Sequence, residues 1–168
     1  MKTVLLGARI VAAFVLIGLA CVGNARADSS AVPLVPNPVL TPGVVDPAAT
    51  KDVVCQRGYA GRPGVRHVTT STKRKVFAEY GVDPKGRGAP FEVDHLISLE
   101  LGGSNDLKNL WPQSYVTAPY NAHLKDALED RLHALVCSGR LDLATAQREI
   151  AGNWIAAYQA YVRGAPTP

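Results

Sequence analysis

Cysteine is scarce in this chain: three residues in 168, at Cys21, Cys55 and Cys137. No two of them are close enough in sequence to form a Cys-x-x-Cys knuckle, so a zinc site built from paired knuckles is excluded. Internal repeats are lacking as well. Long apolar runs are nearly absent, and the one that stands out, Ile10 to Gly23, lies at the N-terminus. It follows Lys2 and Arg9 and precedes Ala25-Arg26-Ala27. That order is the order of a secretory signal peptide, too short and wrongly flanked for a spanning helix. A lipoprotein cysteine at Cys21 would want a bulky aliphatic residue three positions earlier, where Gly18 stands. Cleavage after Ala27 and export, rather than lipidation, are expected.

Strong net charge is the last absence, and it shows only once the signal is removed. The whole chain has 18 Lys and Arg against 14 Asp and Glu. Lys2, Arg9 and Arg26 leave with the signal, so the chain from Asp28 has fifteen bases against fourteen acids. Overall basicity is therefore no argument for nucleic acid. The distribution says more. Residues 51–90 hold nine bases against Asp52, Glu79 and Asp83, whereas residues 91–168 hold six against nine. One half suits polyanions and the other cations, as a phosphate-contacting surface beside a metal site would. A solvated charged face has the same composition.

With Cys21 removed, Cys55 and Cys137 remain, and an isolated pair in an oxidising compartment points to one disulfide. It would close a long loop and stabilise the fold by roughly 4 kcal/mol in the chain-entropy picture. After the signal peptide (1–27), residues 28–50 carry Pro33, Pro36, Pro38, Pro42 and Pro47 among small residues and read as a semi-rigid linker. One domain is expected over 51–163, followed by a disordered tail, 164–168. Within the domain the patterns predict a short helix over 72–80, stopped by Gly81, and a strand over 91–94. A second strand over 107–111 is stopped by Pro112. Leu124, Leu128, Leu132 and Leu135 then recur at helical spacing, predicting a helix over 119–136 with Pro119 near its start and Gly139 beyond its end. Ile150, Trp154, Tyr158 and Tyr161 mark a last helix over 143–162. The fold class is α+β.

The chemistry gathers in FEVDHLISLELGGSNDLKNLWPQ, residues 91–113. Asp94 and His95 end the first strand, Asn109 follows His95 by fourteen residues, and His123 follows after fourteen more. Neighbouring strand residues point to opposite faces, so Asp94 and His95 can serve one site only if the strand ends or bends there. The run into Gly102-Gly103-Ser104-Asn105 permits that.

Asp94-His95, Gly102-Gly103-Ser104-Asn105, Lys108-Asn109-Leu110 and His123-Leu124-Lys125 together resemble the HNH endonucleases of the ββα-metal fold, over about residues 91–131. The frame is similar to small exported bacterial members, in Cys55-Gln-Arg-Gly-Tyr59, Leu135-Val-Cys137-Ser-Gly139 and Ala146-Gln147. The resemblance implies that Asp94 and His123 hold one divalent cation, Mg²⁺ first and Mn²⁺ or Zn²⁺ next. It implies His95 as general base and Asn109 as the brace of the loop. Asn121 is a rival to His123, because the interval after Asn109 is longer than in compact members. Many HNH domains carry a structural zinc; with no Cys-x-x-Cys pair, a Cys55–Cys137 bridge would replace it as a staple. The implied activity is hydrolysis of nucleic-acid phosphodiesters, DNA before RNA, with little sequence preference and as a monomer. A phosphodiester repels nucleophiles, so a cation with open positions and a histidine that is neutral near pH 7 suit the task. Arg62, Arg66, Lys73, Arg74, Lys75 and Lys125 are candidate phosphate contacts. Asp126 and Asp130 share the His123 side of the helix, Glu92 is a weaker ligand candidate, and His67 and His133 read as surface residues. The other class of reading is a non-catalytic exported module that binds DNA or an envelope partner.

Overall fold

The structure is a computed structural model and describes residues 33–84 and 91–164. The expected signal peptide (1–27), the first residues of the linker, Lys85 and Arg87, and residues 165–168 of the tail lie outside the described residues. The elements are α1 (Lys51–Val54), α2 (Thr70–Glu79), β1 (Phe91–His95), β2 (Leu110–Ser114), α3 (Ala122–Cys137) and α4 (Leu143–Tyr158). Single 3₁₀ turns occur at Tyr59–Gly61, Leu99–Leu101 and Leu107–Asn109, and a π-helical turn at Gln159–Arg163 follows α4. The α+β class holds: a two-stranded antiparallel hairpin is followed by helices, a ββα order. Among the described residues no helix is long and apolar enough to cross a membrane.

β1 and β2 pair in the register Phe91↔Ser114, Val93↔Pro112 and His95↔Leu110. The second strand starts later than the sequence pattern suggests, and it includes Pro112. Asp106 causes the delay, because its carboxylate accepts the Lys108 N–H at 2.8 Å and closes a 3₁₀ turn over residues expected to be strand. Pro112 is tolerated because, among the described residues, β2 has a strand partner on one side only, so a missing N–H costs no ladder bond on the other.

The apolar stripes of the last two helices close the core as their spacing predicts. Leu128, Leu132, Ile150 and Trp154 are buried together with Trp111 of β2, and each such side chain stabilises the fold by about 1.5–3 kcal/mol. α3 begins at Ala122 rather than Pro119, capped by Asn121, whose side-chain oxygen accepts the Leu124 N–H at 3.4 Å. Near its C-terminal end α4 is interrupted. Asn153 leaves the helical region (φ −163°, ψ 94°) next to Gly152, and its side chain accepts the Ala156 N–H at 3.0 Å as a fresh cap.

Residues 33–50, expected to be a spacer, run along the domain instead. The Trp154 indole donates to the Leu34 carbonyl at 2.9 Å, and the buried Thr41 hydroxyl donates to the Leu110 carbonyl at 2.8 Å. Val45 forms a β-bridge with Gly103. The prolines restrict this segment, which turns at 38–40 and 47–48, and the domain supplies partners for part of its backbone. The disulfide joins Cys55, just after α1, to Cys137 at the end of α3, 82 residues apart in sequence, with Cα atoms 5.5 Å apart.

Candidate active site

Asp94 and His95 part company as strand geometry requires. The Asp94 carboxylate faces α3, where Oδ2 lies 2.6 Å from the Lys125 ammonium. The His95 imidazole, almost enclosed at 6% exposure, meets the Asn105 side-chain oxygen at 3.0 Å through Nε2. Asn105 in turn donates to the Val65 carbonyl at 2.8 Å, so the loop fastens the imidazole to the basic segment. Burial pushes the His95 pKa below its ordinary value; the Asn105 bond and Asp94 oppose this, and the Lys125 and Arg66 charges add to it. At neutral pH the ring is therefore neutral, with a lone pair able to take a proton.

Asn109 is buried and holds the loop after β1 with its whole amide. Its nitrogen donates to the Ile97 carbonyl at 3.0 Å and the Ser104 carbonyl at 2.9 Å. Its oxygen accepts the Ile97 N–H at 3.0 Å and the Val44 N–H at 3.3 Å. Both hydrogens and both lone pairs are used. The two glycines allow the closeness. Gly102 has φ +77°, and a Cβ on Gly103 would lie 1.7 Å from the Ile97 carbonyl oxygen.

His123 is exposed on the first turn of α3, its ring centroid 5.3 Å from that of Tyr115 at a 44° tilt. Tyr115 donates to Glu92 Oε2 at 2.6 Å, and that bond first, then burial, pushes its phenol up to about 12. Thus the long link after β2 ties Glu92 of β1 to the ring of His123. Asp126 lies near enough to feel the charges of both Asp94 and His123, and burial and then Asp94 push its pKa up. Burial likewise raises Glu92. Asn121, the rival to His123, caps α3 through its side-chain oxygen.

Lys125 corrects the sequence reading most sharply. It is placed there among the phosphate contacts, yet it has no exposed surface. Its ammonium meets Asp94, Glu129 and, at 2.7 Å, the His95 carbonyl oxygen. α3 turns this position inward, between the buried Ala122 and Leu128, so the side chain cannot reach a polyanion. The signal was present in the sequence as the i, i+4 spacing of Lys125 and Glu129. The other candidates remain at the surface. Arg62 is bonded to Gln56 and lies over the Tyr59 ring at 5.8 Å, Arg66 is exposed near enough to His95 to act on it, and Lys73, Arg74 and Lys75 are exposed on α2.

Comparison with known families, with curated proteins and with solved structures finds no match.

The fit to a divalent cation rests on the donors themselves. Among the described residues, the one group of three donors close enough to share an ion is Cys55, His133 and Cys137, and its two thiols are joined as the disulfide. Asp94 therefore belongs to no three-residue cage. What the site offers is the second Asp94 oxygen, the exposed imidazole of His123, and a surplus of carboxyls around one ammonium. Glu129 is pushed up first by burial, against the pull of Lys125. A cation would relieve this crowding, and two protein ligands would leave it open to water and phosphate.

Proposed function

We propose that the protein is an exported, metal-dependent endonuclease of the HNH type, hydrolysing nucleic-acid phosphodiester bonds with DNA as the favoured substrate. The observation that carries the reading is the buried imidazole of His95 at the end of a hairpin, met by Asn105 and beside a loop that Asn109 clamps through three hydrogen bonds, with a fourth to Val44. His95 takes the proton from water as it attacks phosphorus, the bond from phosphorus to the departing sugar oxygen breaks, that oxygen takes up a proton from solvent, and no covalent enzyme intermediate forms. Asn105 orients the ring. Asp94 and His123 would hold the cation, Mg²⁺ by preference with Mn²⁺ or Zn²⁺ as alternatives. When bound, it supplies Lewis-acid stabilisation of the charge that develops on phosphate. Arg66, exposed and near enough to His95 to act on it, would meet the substrate's phosphates, with the exposed bases of α2 as further candidate contacts. The disulfide is compatible with an oxidising compartment.

A specific observation favours the second reading, a non-catalytic exported module binding DNA or an envelope partner: Asp94 already has a cationic partner in Lys125. Incubation of the oxidised protein with supercoiled plasmid and Mg²⁺, Mn²⁺ or Zn²⁺ decides between them. Nicking that EDTA abolishes, and that Asp94→Ala or His123→Ala weakens together with metal binding, is the expected result. Plasmid that stays supercoiled with every metal would leave the binding module.

A further inference from the structure

Lys125 is wholly enclosed, and enclosing an ammonium costs several kcal/mol unless its hydrogens are satisfied. Here the ammonium donates to the His95 carbonyl oxygen at 2.7 Å and to Glu129 one helical turn further along α3, and it forms an ion pair with Asp94 Oδ2 at 2.6 Å. Two of these partners belong to consecutive residues, the candidate metal ligand and the candidate base. A side chain needed only to fill the core would be apolar, since replacing a buried ion pair by apolar groups is often neutral or stabilising.

We propose that Lys125 is the positioning residue of the site, fixing the Asp94 carboxylate and the strand end that bears His95 to helix α3 through one ammonium. This inference rests on the nuclease reading. One oxygen of Asp94 is held by Lys125, so the other is presented in a single orientation. The carbonyl bond stops β1 from sliding or twisting at the residue whose ring must meet the water. Glu129 balances the charge and keeps the ammonium from leaving its place. Lys125 does not touch substrate.

The test uses the full mature chain with Lys125→Met and with the double variant Lys125→Met/Glu129→Leu, which removes the ammonium together with its charge partner and leaves an apolar contact. The readouts are thermal unfolding, the His95 ring signals in ¹H–¹⁵N spectra, and plasmid nicking against Mn²⁺ concentration. In the double variant we expect a folded protein whose His95 signals shift or broaden. Its turnover should fall about 10- to 100-fold with a higher half-saturating Mn²⁺ concentration, as for loss of a group that orients a metal ligand. Unchanged His95 signals with turnover within about twofold of wild type would overturn the proposal. So would a double variant that fails to fold, since that would assign Lys125 to stability. Failure of the nuclease reading looks different: the wild type itself leaves plasmid intact, while the His95 signals still respond to loss of Lys125.

Discussion

His95 shows how much one side chain owes to its enclosure. An imidazole in water titrates near 6.5, but burial lowers the value in the folded protein. As pH falls, the unfolded chain binds this proton before the folded one does. Stability from this group is therefore complete above about pH 6.5 and is lost as pH falls through the lowered folded value. Activity follows the same group. The acid limb of the nicking profile should lie below about pH 6.5, and wild type should lose unfolding free energy on acidification that His95→Gln retains. An acid limb above pH 7 would contradict the assignment of the base. The adjacency of Asp94 and His95 was legible in the sequence, but their partners were not. Asn105 stood in view within the loop, yet nothing in the order of residues says that its amide will meet an imidazole ten positions earlier.

The hairpin and its loop form the element on which the site depends, and their tightest point is a glycine. A methyl on Gly103 would meet the Ile97 carbonyl at 1.7 Å and the Asn109 amide nitrogen at 2.8 Å, and backbone cannot yield as a flexible side chain can. Gly103→Ala should lower stability by about 3 kcal/mol or more, read from the denaturant midpoint, and should abolish nicking. An unchanged midpoint would show that the loop is looser than its bonds imply. Helix positions were readable because burial repeats every turn: Leu128, Leu132 and Leu135 of α3 and Ile150 and Trp154 of α4 are all buried. Element ends were less readable, because short side-chain bonds decide them. Asp106 delays β2, Asn121 fixes the start of α3, and Asn153 recaps the end of α4. The burial of Lys125 is hidden from the sequence for a related reason. A lysine one turn into an amphipathic helix looks like surface until a carboxylate on another element is known to face it.

At the scale of the molecule, the N-terminal segment and the disulfide close the fold around the site. Residues 33–50 carried no periodic signal, because short turns within the segment and bonds to the loop, to β2 and to side chains such as Tyr80 and Trp154 hold it in place of a regular element. Gly43 donates to the Lys108 carbonyl at 3.0 Å and Asp46 to the Gly102 carbonyl at 2.8 Å, so this segment lies against the loop that Asn109 braces. The Cys55–Cys137 pairing, by contrast, followed from the count of cysteines once Cys21 is assigned to the expected signal peptide. Its closure of 82 residues should contribute about 4 kcal/mol, and the Cys55→Ser/Cys137→Ser variant should unfold at a correspondingly lower denaturant concentration. Equal midpoints for the oxidised protein and the double serine variant would mean that the bridge constrains little in the unfolded chain.

The central claim, that His95 is the base of a metal-dependent nuclease, is tested most directly by nicking of supercoiled plasmid in Mg²⁺ or Mn²⁺, with wild type and His95→Ala side by side. The account predicts nicking by wild type that EDTA stops. It predicts loss of activity in His95→Ala, with metal binding and the unfolding transition largely preserved. Cleavage by His95→Ala at the wild-type rate would contradict it.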